Sequence, residues 1–384
     1  MTTYDILDRL ISFDTTSRNP NIELMIYVQE LLDSAGIASQ LIHDDTGSKA
    51  NLYATIGPAD SGGVLLSGHT DVVPVDGQDW TLPPFRMTER DGRLYGRGST
   101  DMKGFVAAAL AMAIRAAERD LKTPLHLAFS HDEEIGCVGV HSLIDMLKAA
   151  PFRPKFCIIG EPTQMAVATG HKGKTAIEVT CRGLEGHSAL APFAVNAIYL
   201  AHDVITAIRD KQAELVALGA SDGDYDVPYT TLHTGRIAAG GALNIVPNHC
   251  RFAWEIRNIA ADDPLVILDD IKAAAARITA RARDIAPDAD ISFDIINTYP
   301  GLDTAPDAAV VDFVKGLTGA NGTIKVAFGT EGGLFSERLG IPSVVCGPGS
   351  MAQGHKPDEF ITMDQLAACD AMLSRLLDHL EAGI

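Results

Sequence analysis

The segment VLLSGHTDVVP, residues 64–74, joins a short apolar run to a polar turn that contains His69 and Asp71. A run of about four to eight apolar residues closed by a glycine is typical of a strand buried on both faces. Similar runs, several of them separated by helical stretches at 102–118 and 140–149, occur at 125–130, 156–160, 326–329 and 343–346. This alternation predicts an α/β fold with helices on both faces of a sheet.

The middle of the chain has a different pattern. Residues 175–181 (TAIEVTC) alternate apolar and polar side chains, as in a strand with one buried face. The elements that follow are a helix at 196–209, strands at 230–237 and 250–256, a helix at 263–284 and a strand at 291–296. Because the order β-α-β-β-α-β is that of the split βαβ unit, we expect an inserted domain at 175–297. Residues 1–174 and 298–384 would then form one discontinuous domain.

The bulk composition narrows the classes of function. A chain of 384 residues with 46% hydrophobic and 21% charged residues fits a globular protein larger than one ordinary core. Its formal net charge of −19 argues against binding to nucleic acid or to an anionic membrane surface. No apolar stretch reaches the roughly 20 residues of a membrane span. Six scattered cysteines without a CxxC pair indicate reduced thiols, so we expect a cytoplasmic protein.

Acidic and histidine residues follow the predicted strands at the point where each strand ends. The residues that do so are His69, Asp71, Glu133, Glu134, Glu161 and His355. Asp101, in RGSTDMKG, directly precedes an apolar helix and can reach the same edge. Open α/β sheets bind ligands at the carboxyl ends of their strands, so we expect these side chains to converge.

Imidazole and carboxylate groups without a thiolate suit zinc, cobalt or manganese in a hydrolytic site. A carboxylate that bridges two ions about 3.5 to 4 Å apart is a recurrent arrangement, and Asp101 is the candidate bridge. Each ion then needs two further ligands, which four residues can supply: His69, Glu134, Glu161 and His355. Glu133, next to a ligand, is the candidate base for water. Asp71 is expected to accept a hydrogen bond from the second ring nitrogen of His69.

Each of these residues also has an ordinary structural explanation. Asp101 is a favourable residue for capping the helix that follows it. Adjacent acids such as Glu133 and Glu134 are usually a solvated turn, and an isolated HTD sequence at His69 is usually a surface loop. Their shared position after buried strands, and the repulsion within SHDEEIG that a cation would relieve, favour a metal site.

Six motifs, in order along nearly the whole chain, resemble those of one metallopeptidase family. They are GHTDVVP (68–74), GRGSTDMKG (96–104), HDEEIGCVG (131–139), GEPT (160–163), GHSALAP (186–192) and GHKPDEF (354–360). The family includes acetylornithine deacetylase, succinyl-diaminopimelate desuccinylase, carboxypeptidase G and aminoacylase. The resemblance implies a zinc-binding α/β domain with a mixed sheet, and an inserted lid domain through which two chains form a homodimer.

The resemblance also implies roles for particular residues. One metal would be held by His69 and Glu161 and the other by Glu134 and His355, with Asp101 as bridge, Glu133 as general base and Asp71 supporting His69. His187, in the GHS motif, would reach from the partner's lid and polarise the scissile carbonyl. A lone histidine in a glycine-rich turn is otherwise most often a turn residue.

Two further lid residues, Asn244 and Arg257, match substrate contacts in relatives. Arginine suits a substrate carboxylate because its planar fork donates two parallel hydrogen bonds, although an ion pair with Glu255 or Asp262 explains Arg257 equally well. Glu331, in FGTEGGLF (328–335), would face the amine end of the substrate or else cap a helix.

FGTEGGLF is most similar to the acetylornithine deacetylase branch. The implied substrate is therefore a small acyl amino acid, Nα-acetylornithine, cleaved to ornithine and acetate in arginine biosynthesis. Desuccinylase, aminoacylase and dipeptidase activities share every metal residue and remain alternatives. A catalytically dead relative that only binds an acyl amino acid is the alternative from another class.

Overall fold

The computed structural model describes all 384 residues of the chain. The helices are α1 (Thr3–Ile11), α2 (Ile22–Ser34), α3 (Gly104–Ala116), α4 (Val140–Ala149), α5 (Ala197–Leu218), α6 (Pro264–Arg283), α7 (Ala309–Thr318), α8 (Gly332–Leu339) and α9 (Met363–Ala382). The strands up to the middle of the chain are β1 (Ser39–His43), β2 (Ala50–Ile56), β3 (Val64–His69), β4 (Thr88–Arg90), β5 (Arg93–Tyr95), β6 (Leu125–Ser130), β7 (Phe156–Pro162), β8 (Val167–His171) and β9 (Lys174–Arg182). The remaining strands are β10 (Gly186–His187), β11 (Thr231–Ala239), β12 (Ile245–Val246), β13 (His249–Arg257), β14 (Asp290–Tyr299), β15 (Leu302–Asp303), β16 (Thr323–Val326), β17 (Ser343–Gly347) and β18 (Phe360–Thr362).

The chain divides into two compact units, one formed by Met1–His171 with Leu302–Ile384 and the other by Lys172–Gly301. The first unit is built on a nine-stranded mixed sheet with the order β1-β2-β6-β3-β7-β17-β8-β15, in which β16 also pairs with β8. The central strands β6, β3, β7 and β17 are parallel to one another. Their carboxyl ends therefore meet at one edge of the sheet.

Helices cover both faces of this sheet, so the predicted α/β class is confirmed. Helix α3 packs on β3, β6 and β7 and contacts α1, α2 and α9, while α4 and α8 contact each other on the opposite face. Successive residues of β7 point to the two faces. A Cβ atom at Gly160 would lie 1.9 Å from the ring of Phe105 in α3, whereas Ile159 lies beside Gly332 of α8.

The helix predicted at 102–118 begins later in the structure, at Gly104, because Ser99–Lys103 forms a separate irregular turn. Within that turn Asp101 has a non-helical backbone, with φ −128° and ψ 92°, and its peptide bond to Met102 is cis. Met102 extends the apolar pattern of the helix by one position into this turn, so the pattern alone did not place the start of the helix at Gly104.

The strand predicted at 326–329 is wrong in position. The observed strand, β16, spans Thr323–Val326 at the border of the sheet, and residues 327–329 have no regular structure. The chain turns there because the hydroxyl of Thr330 accepts a hydrogen bond from the backbone N–H of Gly332, which begins α8. The apolar residues before this turn therefore connect two elements rather than forming a buried strand.

The second unit contains a four-stranded antiparallel sheet with the order β11-β13-β9-β14 and two helices, α5 and α6. Along β9 every second side chain is buried, which gives the sheet one face packed on the helices. Asn196 caps α5 by accepting a hydrogen bond of 2.9 Å from Ile198 N. Helix α5 continues to Leu218, beyond the predicted end at residue 209, because Leu215 extends its buried stripe.

The six cysteines are all buried, and none of them forms a disulfide. Burial raises the pKa of the Cys181 and Cys346 thiols to about 12, so both remain protonated core residues. None of the helices combines the length and the apolar character that crossing a membrane requires.

Candidate metal centre

Two histidines and four carboxylates meet in the first unit at the edge where the parallel strands end. His69 is the last residue of β3, and Glu161 lies near the end of β7. Asp101 lies in the irregular turn before α3, Glu133 and Glu134 in the loop after β6, and His355 in the loop after β17. The convergence expected at the carboxyl edge of the sheet is therefore present in the structure.

The two carboxylate oxygens of Asp101 face different partners. Oδ1 lies 3.1 Å from Nε2 of His69, which is itself 3.6 Å from Glu161 Oε1. Oδ2 lies 3.1 Å from Nε2 of His355, which is 3.0 Å from Glu134 Oε2. The side chains form two groups of a histidine and a glutamate, one on each oxygen of Asp101.

One buried oxygen of Glu134 fits the coordination of a cation at this position. Glu134 Oε1 is inaccessible to solvent and has no hydrogen-bond donor in the structure. An unpaired buried carboxylate oxygen is costly, and a metal ion is one of the few partners that relieves the cost. The donor set contains imidazole nitrogens and carboxylate oxygens without a thiolate, which fits zinc, cobalt or manganese.

The side chains of the cluster carry an excess of negative charge, which also favours a cation. Burial raises the pKa of the carboxyl groups of Glu134 and Glu161, and the Asp101 carboxylate raises both further. Burial alone would lower the pKa of His69, but the carboxylates of Glu161 and Asp101 raise it well above its ordinary value. Hydrogen bonds with Asp101 and Glu134 raise the pKa of His355 to about 10. The protein thus concentrates negative charge here, and only two imidazoles oppose it.

The imidazole of His69 is oriented by a main-chain oxygen. Its Nδ1 lies 2.9 Å from the backbone oxygen of Asp71, so Nδ1 carries the proton and donates it. Nε2 then faces Asp101 at 3.1 Å, and its lone pair becomes available to a metal when the imidazole gives up its second proton. The carboxylate of Asp71, at 3.6 Å from Nδ1, is not the hydrogen-bond partner that we expected.

The carboxylate of Asp71 instead holds the loop that carries the two glutamates. Its oxygens accept hydrogen bonds from the backbone N–H groups of Glu133 at 3.0 Å and Glu134 at 3.3 Å. The hydroxyl of Ser17 donates a further bond of 2.7 Å. Asp71 therefore fixes the main chain of Glu133 and Glu134 and is 2% exposed.

Glu133 makes no ion pair with either histidine within 4.0 Å, in contrast to Glu134 and Glu161. Its Oε1 accepts a hydrogen bond of 3.4 Å from the thiol of Cys137. Burial raises the pKa of the Glu133 carboxyl to about 8, against a smaller opposing effect of His69. A carboxylate of raised basicity beside ligand groups has the properties of a general base.

The ordinary structural explanations do not describe these residues. Helix α3 has no side-chain cap, and the carboxylate of Asp101 contacts the two histidines instead. His69 and Asp71 are 1% and 2% exposed, so they are not a surface loop.

Glu331 lies behind this cluster and is 2% exposed. Its carboxylate accepts hydrogen bonds from the hydroxyl of Ser67, at 3.1 Å, and from that of Ser130. Glu331 occupies the N-cap position of α8, but its side chain makes no capping hydrogen bond, and the hydroxyl of Thr330 accepts the N–H of Gly332 instead. A substrate amine would compete with both serine hydroxyls, and that contact stays a prediction.

In the second unit, His187 and Asn244 are exposed and close to each other. Strands β10 and β12 pair His187 with Ile245, and the backbone oxygen of Asn244 accepts a hydrogen bond of 3.0 Å from Ser188 N. Nδ1 of His187 accepts a hydrogen bond of 3.1 Å from Ala189 N. The neutral imidazole therefore carries its proton on Nε2, which can donate to an oxygen of another molecule.

Arg257, at the end of β13, is partly occupied by neighbours in the same unit. Its Nε donates to Glu255 at 3.1 Å and its Nη1 donates to the hydroxyl of Tyr299 at 3.1 Å. The expected ion pair with Glu255 is present, whereas Asp262 is bound by Thr230 instead. Arg257 keeps its second terminal nitrogen for a further contact.

Three residues that support the cluster were not predicted from the sequence: Gln78, Arg97 and Glu359. Arg97 and Glu359 are each 1% exposed, although both are charged. They lie within GRGSTDMKG and GHKPDEF, beside Asp101 and His355, and this proximity was the available signal.

The chain is similar in sequence to one described family. A sequence model of "Peptidase family M20/M25/M40" matches residues 65–379. An acetylornithine deacetylase from Myxococcus xanthus is 36% identical over 382 residues, which cover 98% of this chain and 97% of that protein. An acetylornithine deacetylase from Klebsiella pneumoniae (strain 342) is 35% identical over 87% of this chain and 84% of its own length.

Solved structures show the same fold at lower sequence identity. A metallo-carboxypeptidase of the M20 family from Sulfolobus solfataricus has a TM-score of 0.78 and 20% identity, covering 99% of both chains. The YXEP protein of Bacillus subtilis, described as a dinuclear metal binding peptidase, has a TM-score of 0.70 and 15% identity, covering 100% of this chain and 98% of the other. At this identity the likeness establishes the fold.

Proposed function

This chain belongs to peptidase family M20/M25/M40, and from that premise we propose that it hydrolyses the amide bond of Nα-acetylornithine. The family resemblance predicted from six motifs is confirmed, and the chain is a metal-dependent hydrolase. The substrate proposal is supported by relatives named acetylornithine deacetylase that are 36% and 35% identical to the chain. The products would be ornithine and acetate.

The observation that carries the proposal is the division of Asp101 between two histidine–glutamate pairs. One divalent ion would be held by His69 and Glu161, a second by Glu134 and His355, and Asp101 would bridge them. Two such ions, zinc or cobalt, supply Lewis acidity toward the amide oxygen and lower the pKa of water. The carboxylate excess and the unpaired Glu134 Oε1 support this assignment.

Glu133 is the residue that moves the proton in this proposal. Its carboxylate takes a proton from the attacking water and later delivers it to the amine that leaves. The Cys137 thiol orients Oε1, while Asp71 holds the backbone N–H of Glu133 and thereby the direction of the side chain. These contacts keep Glu133 in place during the reaction.

We propose that the chain forms a homodimer in which residues of the second unit, the expected lid domain, contact the substrate. His187 would donate Nε2–H to the carbonyl oxygen as negative charge develops on it. Arg257 would bind the substrate carboxylate through its remaining terminal nitrogen, and Asn244 would add a hydrogen bond. Sedimentation of the metal-loaded chain at micromolar concentration tests the dimer, and a monomer without self-association would refute it.

A hydrolysis assay on a panel of substrates tests the proposed reaction. The panel contains Nα-acetylornithine, other Nα-acetyl amino acids, N-succinyl-diaminopimelate and dipeptides, each with zinc, with cobalt and with a chelator. We expect the highest kcat/KM for Nα-acetylornithine and loss of activity with the chelator. Preference for another substrate would refute the substrate while sparing the chemistry, and no hydrolysis of any would indicate a binding protein.

A further inference from the structure

A buried ion pair lies directly behind the candidate metal centre. Nη1 of Arg97 is 2.6 Å from Oε2 of Glu359, and both side chains are 1% exposed. Burying two charges costs about as much free energy as their attraction returns, so such a pair is weak evidence for a role in stability. The hydrogen bonds of the pair to the surrounding chain indicate a positioning role.

Glu359 holds the main chain of the bridging aspartate. Its second oxygen, Oε1, accepts hydrogen bonds from the backbone N–H of Thr100 at 3.0 Å and of Asp101 at 3.2 Å. These N–H groups lie in the irregular turn, outside the hydrogen-bond ladder of α3. The carboxylate of Glu359 is thus the side-chain acceptor that fixes the direction in which Asp101 leaves the backbone.

Arg97 extends the same pair to the loop that carries His355. Nη2 of Arg97 donates to Gln78 Oε1 at 2.5 Å, and Gln78 Nε2 donates to the backbone oxygen of His355 at 2.9 Å. His355 has a left-handed backbone, with φ 62°, which a non-glycine residue adopts only when its surroundings impose it. The guanidinium of Arg97 also lies 5.0 Å above the ring of Trp80.

We propose that Glu359 and Arg97 are positioning residues that fix the place of Asp101 relative to His355. Gln78 connects Arg97 to the backbone of His355. The inference rests on the proposed two-metal centre. Glu359 binds the main chain of Asp101, which touches both ion positions, whereas Gln78 binds the loop of the second position directly and reaches Asp101 only through Arg97 and Glu359. Loss of Glu359 therefore weakens the binding of both ions, and loss of Gln78 weakens the binding of one.

Calorimetric titration of Zn²⁺ into the metal-free full-length chain measures the two affinities separately. Glu359→Gln keeps the size of the side chain but removes the charge, and we expect both zinc affinities to fall about 10- to 100-fold. Gln78→Ala is expected to lower one of the two zinc affinities by a similar factor and to leave the other unchanged. Glu359→Asp, which keeps the charge, should recover most of the loss.

Asp370→Asn is the matched control, because it makes the same carboxylate-to-amide change at a part-buried hydrogen bond with Thr3 between α9 and α1. It should bind two zinc ions as the wild type does. Unchanged zinc affinities in folded Glu359→Gln would overturn the inference, as would equal losses at both sites in Gln78→Ala. If Glu359→Gln does not fold, Gln78→Ala should still lower one zinc affinity and Arg97→Lys, at the partner of both Glu359 and Gln78, should lower both, and unchanged affinities in either would overturn the inference. A wild-type chain that binds no ion would instead refute the proposed function.

Discussion

Glu133 differs from its neighbours in having a thiol, rather than a histidine, as its side-chain partner. Glu133→Gln removes the basic oxygen while leaving the side-chain volume and the other carboxylates in place. We expect kcat to fall about 10²- to 10⁴-fold, because this is the usual contribution of a positioned general base. Two bound zinc ions per chain, measured by elemental analysis, should remain. Retained turnover would refute the role, and loss of the ions would make Glu133 a ligand.

His126 provides a pH-dependent contribution to stability away from the metal centre. Burial in β6 lowers its pKa from the ordinary 6.5 to about 4, and Tyr53 and Thr55 contact its Nδ1 at 2.9 and 3.0 Å. Above pH 6.5 the imidazole is neutral in the folded and unfolded states. As the pH falls toward 4, only the unfolded chain takes up the proton, so the free energy of unfolding decreases.

Between pH 7 and pH 5 this loss amounts to about 2 kcal/mol. His126→Gln should remove it, so its free energy of unfolding should depend less steeply on pH than that of the wild type. Urea unfolding of both proteins at the two pH values, in the same metal buffer, provides the comparison. Parallel pH dependences would show that His126 is not the neutral group described above.

Single residues differ in how far the sequence could predict them. Most of the metal-ligand candidates stand out because they are polar and lie after a buried apolar strand, whereas Asp101 stands out by directly preceding an apolar helix. The partner of His69 Nδ1 could not be predicted, since it is a backbone oxygen whose direction depends on the turn at Asp71. Glu359 could not be predicted either, because one of the backbone N–H groups that donate to it belongs to Asp101, in a turn 258 positions away.

At the level of elements, β7 and α3 must approach closely for Glu161 to reach Asp101. Gly160→Ala places a methyl group within 1.9 Å of the ring of Phe105, so the strand or the helix must shift. We expect a loss of about 1 to 3 kcal/mol in the free energy of unfolding and weaker zinc binding. Urea unfolding and zinc titration measure both effects.

Gly316→Ala in α7 is the control, because no atom lies within 4 Å of the added methyl group. It should stabilise the protein by about 0.5 to 1 kcal/mol, since alanine favours a helix more than glycine does. The cost of Gly160→Ala should also be smaller in a Phe105→Leu background. An equal cost in both backgrounds would show that the ring is not the obstacle.

The elements could be predicted wherever apolar periodicity alone determined them. Strand β6 and helix α4 have the predicted bounds, and the four sheet strands and two helices of the second unit follow the β-α-β-β-α-β order, with the short strands β10 and β12 in addition. The errors fall where other interactions determine the chain direction. Asp101 is held in an irregular turn by Glu359, and the segment before α8 turns at Thr330.

For the whole molecule, the proposed homodimer makes a prediction about mixed chains. Glu133→Gln and His187→Ala should each be nearly inactive alone. If His187 acts on the partner's site, exchange of subunits in an equal mixture should restore about a quarter of wild-type activity, because half of the dimers then contain one complete site. A mixture that stays as inactive as its components would place both groups in the same chain or exclude His187 from the reaction.

The central claim is that Asp101 bridges two divalent ions, and anomalous X-ray scattering at the zinc edge from zinc-loaded crystals tests it most directly. The account predicts two peaks about 3.5 to 4 Å apart, one beside His69 and Glu161 and one beside Glu134 and His355, with Asp101 between them. A single peak, or peaks that leave Asp101 without a metal contact, would contradict it.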